Sequence, residues 1–113
     1  MKWNLWRKDR VIVADGAGLP KPKELHQRVG IHLITQLKLD PDYVWTLLQA
    51  SSPVEGSRNL VRFRVFNPLE ARNRGVTVRN YRSLDGHLEL VLYSGTLDKK
   101  TGTIAMESQP VAA

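Results

Sequence analysis

Between Arg58 and Arg82 the chain holds seven arginines, no lysine and a single acid, Glu70. That stretch alone carries the +6 formal charge of the whole protein, so the remaining residues balance to zero. A guanidinium offers a permanent charge, a planar fork that matches phosphate or carboxylate, and a face that stacks on rings. The pattern therefore marks Arg62, Arg64, Arg72, Arg74, Arg79, Tyr81 and Arg82 as a surface for an anion or a partner. Arg62 and Arg64 lie two apart and leave a strand on one face, as do Arg79 and Tyr81 on the next segment. Stacking of bases on Tyr81 or Phe66 among these charges would suit single-stranded nucleic acid. The competing reading is the polar side of a half-wet sheet, with arginines paired to Asp40, Asp42, Glu89 or Glu107 or placed in a protein interface. "RFRVF" lacks the glycines and aromatic spacing of sheet-based RNA readers. The expected partner is thus another protein, and a nucleic-acid-binding module is the alternative.

Catalytic and metal chemistry find weaker support. His87 and Glu89 would share one face of a strand, like half of a His-x-carboxylate iron site, but the second histidine must come from His26 or His32. Those two are six apart, off the spacing of helical zinc ligands. His26 falls in an apolar stripe and is expected as a hydrogen-bonded, part-buried imidazole. Asp40 and Asp42 lack the glycine and distal glutamate of a calcium loop, and Ser94 in "LYSGT" has no nucleophile elbow. With no cysteine in the chain, disulfides, thiolate metal sites and cysteine nucleophiles are excluded. No catalytic residue, metal ligand or cofactor is assigned, and an enzyme is the third reading.

Something must position the arginines. A chain of 113 residues, 42% hydrophobic and 25% charged, is expected to bury one core of ordinary size. Leu25, Val29, Leu33 and Leu37 recur every four residues, with Ile34 beside them, and predict a helix over 23–38 entered at Pro22. Gly30 inside it predicts close approach of another backbone. "LDPDYVW" carries a helix-start signature at Asp40-Pro41 and strand formers at 43–46, and we read a turn at 40–42 followed by a strand over 43–50. A hairpin loop at 51–57 leads to a strand over 59–66, with Val61, Phe63 and Val65 on one face. Asn67-Pro68 opens a short helix that Gly75 closes, with Glu70 at capping-box spacing. Further strands follow at 76–79, 88–97 and 103–107, with a turn at Asp85-Gly86 and a hairpin loop at "DKKTG".

The expected fold is α+β: one long helix on an antiparallel sheet of about five strands, plus one short helix. Residues 1–22 read as an N-terminal arm and Pro/Gly-rich linker, 23–108 as the single domain and 109–113 as a frayed tail. "LPKPKELHQRVGIHLITQLKLDPDYVW", "RFRVF" and "LELVLYSG" together resemble small bacterial proteins with a proline–basic entry, one helix and a short sheet. The resemblance covers most residues after Leu19 and implies a bacterial, cytosolic, single-domain protein, but no activity. No membrane span or secretory leader is expected, and the anticipated state is a cytoplasmic monomer or weak homodimer.

Overall fold

In the computed structural model, residues 13–14 and 22–107 are described; the rest of the arm and linker, and the tail from 108, lie outside the described residues. The helical stripe forms α1, Pro22–Gln36, whose Leu25, Val29 and Leu33 are completely buried. Leu37 is not part of that buried face: it is 40% exposed. The helix stops because Lys38 turns left-handed at φ 59°, and the amides of Leu37 and Leu39 both donate to Leu33 O. The turn carries Leu39, rather than Leu37, back against the core.

The strand expected over 43–50 begins only at Leu48. Pro41–Val44 is instead a single helical turn, α2, started by Asp40-Pro41, and it drives Val44 into the core. Proline at the first turn lacks only a donor that the helix would leave unpaired, so the start signal outweighs the strand preference of Tyr43 and Val44. Burial of Val44 and Leu47 beneath α1 then decides the matter.

The sheet runs β2 (Leu48–Pro53), β3 (Leu60–Phe66), β4 (Val91–Asp98) and β5 (Ile104–Met106), each antiparallel to the next. Val13–Ala14 adds a two-residue β1, parallel to β2 opposite Ala50 and Ser51. Among the described residues antiparallel strands therefore number four, and 76–79 forms none. Residues 88–90 make a helical turn before β4. Loops 54–59 and 99–103 close the two hairpins. In the second, Asp98 Oδ1 accepts from the amides of Lys100 and Thr101, and Gly102 adopts φ 79°.

Alternation along β3 divides the core in two. Val61, Phe63 and Val65 are buried, and the latter two join Leu25, Val29, Leu33, Val44, Leu47 and Leu97 on the α1 side. Phe66, on the other face with Leu48 and Ala50, meets Ala71, Leu84, Leu90 and Val91. Ala71 belongs to α3, Pro68–Asn73, which Asn67 caps by accepting from the amides of Leu69 and Glu70. The second face is thus not the wet side of a half-buried sheet: the connection from 67 to 90 covers much of it.

Two close approaches fix the layers. Gly95 lets the Phe63 ring and the β5 backbone reach β4, since a Cβ there would strike Ala105 O. Gly30 admits the Trp45 indole, a side chain rather than the expected backbone. His26 is buried beside that indole, its centroid 5.4 Å away, and its Nδ1 lies 3.0 Å from Gln49 Oε1.

Replacing Leu33 by alanine should cost about 2–5 kcal/mol, as for other buried leucines. Leu37→Ala should stay within about 0.5 kcal/mol. Urea midpoints check both, and equal losses would contradict the helix end described. Gly30→Ala should destabilise despite alanine's helix preference of about 1 kcal/mol, because a methyl overlaps the indole. Combining it with Trp45→Leu should remove the penalty, which thermal midpoints of the single and double variants measure.

Candidate binding surface

Of the seven candidate residues, the fold brings three together. The Arg64 guanidinium lies 4.0 Å from the Tyr81 ring centroid, and Arg62, two residues back on the same face of β3, lies 5.8 Å from it. Arg64 Nη1 also donates to Tyr81 O at 3.0 Å and to Asp85 Oδ1 at 2.8 Å. Its side chain is only 16% exposed, against 60% for Asp85. A guanidinium with two acceptors and a ring beneath it is a packing element, and its charge is already matched.

Local hydrogen bonding explains why Tyr81 sits there. Asn80 Oδ1 accepts from the Ser83 amide, while Ser83 Oγ accepts from the amides of Asn80 and Arg79. This reciprocal cap winds Tyr81–Leu84 into a helical turn and drops Leu84 into the second core. Arg64 then clamps the turn from the sheet side.

Arg74 is matched as well. Its Nε donates to Glu70 at 2.9 Å, and its Nη1 lies 3.8 Å from Glu89. Glu70 therefore serves Arg74 instead of closing a capping box at Asn67. Of the acids considered as arginine partners, Glu89 takes this role; among the described residues Asp40, Asp42 and Glu107 make no ion pair with an arginine. The side chains of Arg72, Arg79 and Arg82 are exposed and have no ion pair or side-chain hydrogen bond among the described residues.

The chemical candidates do not assemble. Glu89 lies 3.9 Å from His87 Nδ1, but His87 precedes the helical turn Leu88–Leu90 and Glu89 lies within it, so they do not share a strand face. His26 is on the buried face of α1, held against Gln49, across the sheet from Leu84 and Leu90. Among the described residues no three histidine or acidic side chains could hold a metal ion together. Ser94 is buried in β4 and donates to Glu107 at 3.2 Å. Burial, and then the neighbouring Tyr93, raise the Tyr43 phenol above its ordinary value, so Tyr43 is neutral near pH 7.

One open feature had no reading in the sequence. A cleft of about 350 Å³ opens beside the second core, lined by Leu48, Phe66, Pro68, Ala71, Arg72 and residues 75–78. Its far wall is the segment where a strand was expected. Val76 and Val78 pack partly buried against Leu48, Phe66 and their neighbours, while Thr77 and Arg79 are exposed. The sequence signal was that alternation after Gly75; what it could not show was that no strand pairs with it.

Compared with protein-family models, curated proteins and solved structures, the chain finds no match. Among the described residues no helix is long and apolar enough to cross a membrane. Fold and surface together define a small α+β domain with a largely apolar cleft that carries the exposed Arg72 on its wall.

Removing the Arg64 clamp should be costly, because it strands the Tyr81 carbonyl and Asp85. Arg64→Ala is expected to lose about 1–3 kcal/mol in urea unfolding. Arg82→Ala, at an exposed side chain with no ion pair or hydrogen bond among the described residues, should stay within about 0.5 kcal/mol.

Proposed function

We propose that this domain is a non-enzymatic binding module whose partner is another protein, docked in the cleft beside Val76–Val78. The observation that carries the reading is where the arginines are used. Arg64 and Arg74 are matched by carboxylates, and Arg62 and Arg64 lie over the Tyr81 ring. A ring face already occupied by guanidinium is poorly placed to stack a base. The cleft, by contrast, presents apolar side chains to water, and among the described residues its only ionisable lining residue is Arg72. Arginine stays charged at any physiological pH and makes a poor proton carrier, so the lining suits recognition more than catalysis.

Photocrosslinking in cells tests this. With p-benzoylphenylalanine in place of Thr77 on the cleft wall, adducts should be protein, insensitive to nuclease, and absent when the same residue replaces Lys100 in the far hairpin. Nuclease-sensitive adducts, or equal adducts from both positions, would overturn the reading. A salt titration with single-stranded RNA addresses the nucleic-acid alternative. Arg79→Gln with Arg82→Gln should weaken any binding no more than Lys99→Gln with Lys100→Gln. A log–log salt slope flattened by about one unit in the arginine pair alone would favour nucleic acid instead.

A further inference from the structure

Residues 76–79 have the alternation of a strand and, among the described residues, no strand paired with them. Val76 donates its amide to Ala71 O, and Arg79 donates its amide to Ser83 Oγ, so both ends of the segment are pinned. Between them, the backbone N–H and C=O groups of Thr77 and Val78 make no hydrogen bond among the described residues. Unpaired backbone beside a partly apolar wall is the template that strand addition completes.

We infer that this segment and the adjoining cleft bind an extended peptide of the partner protein, one carrying an apolar residue two positions from an acidic residue. The inference rests on the protein-binding reading and specifies its mode. In a strand, residues two apart share a face. An apolar side chain can therefore enter the cleft against Phe66, Ala71 and Val76 while the acid two positions away reaches Arg72 on the cleft wall. Backbone pairing with Thr77 or Val78 supplies affinity that is independent of side chain, and the cleft and Arg72 supply selection. The cleft's volume lies at the small end of the roughly 300–1,000 Å³ common for binding sites, which suits one or two side chains rather than a helix.

Charge selects among occupants. Among the described residues Arg72 and Arg79 are exposed with no ion-pair partner, and no acid lines the cleft. A second copy pairing through the same segment would bring two sets of these cations close together in a protein of net charge +6. Like charges directly opposite one another destabilise strand pairing. An acidic extended segment meets the same surface with the opposite sign.

A random heptapeptide display library, selected on the full chain, tests the inference. Selected peptides should be enriched for an apolar residue two positions from Asp or Glu. Selection on Arg72→Gln should lose the acidic preference while keeping the apolar one. An enriched peptide should slow amide exchange at Thr77 or Val78 at least tenfold, and its Glu→Lys version should bind at least tenfold more weakly. No enrichment, no acidic preference, or unchanged exchange at both amides would overturn the proposal. Slowed exchange at these amides on concentrating the protein without peptide would overturn it in favour of self-pairing. Crosslinks from position 77 that persist alongside any of these negative results leave protein binding standing and remove only the extended acidic mode. Loss of the crosslinks as well removes both.

Discussion

One helix cannot cover both faces of this sheet, and the rest of the structure follows from that constraint. β3 sends Val61, Phe63 and Val65 one way and Phe66 the other, and all four are buried. α1 covers Phe63 and Val65 of the first set. The second must be covered by the connection between β3 and β4, which contains only short helical turns. Such a cover buries little apolar surface per residue and leaves many backbone polar groups to satisfy. Side chains do this at discrete points: Asn67 caps α3, Asn80 and Ser83 cap one another's amides, and Arg64 takes Tyr81 O. Of these points the Arg64 clamp reaches from the sheet itself, so it ties the cover to the strands beneath.

The same economy leaves the cleft. The cover is anchored where α3 sets Ala71 and the later turns set Leu84 and Leu90. Between those anchors the chain crosses from Gly75 to Arg79 with only its ends bonded. Val76 and Val78 lean on the second core without sealing it, and the opening persists between them and Phe66. The proposed binding role is thus read from the part of the cover that packing leaves unfinished, whereas Arg64 and Arg74, within the densest charge in the sequence, are spent on holding the cover down.

Much of the architecture was legible where signals were local. The four-residue spacing of Leu25, Val29 and Leu33, the Asn67-Pro68 start and the Asp98-to-Gly102 loop each specify their element within a few residues. The failures share a cause. Tyr43 and Val44 prefer strands, but burial of Val44 under α1 holds them helical. Val76 and Val78 alternate correctly, yet a strand also needs a neighbour, and the topology supplies none. Leu37 keeps the helical spacing but stands beyond the left-handed Lys38 turn's reach into the core. At the surface, composition identified Arg62, Arg64 and Tyr81 as one group, but Asp85 lies twenty-one residues from Arg64, with no periodicity to reveal the pair. The cleft assembles from β2, β3, α3 and the segment after it, so no single stretch announces it.

The central claim is that the arginines of β3 are structural, with Arg64 seated on Tyr81. Proton chemical shifts of the Arg64 side chain test it most directly, because a guanidinium centred 4.0 Å over an aromatic ring is strongly shielded. The account predicts upfield-shifted Arg64 Hδ and Hε resonances that vanish into the ordinary range in Tyr81→Leu and do not move when single-stranded RNA is added. Ordinary shifts in the wild type, or upfield shifts released by the RNA, would contradict it.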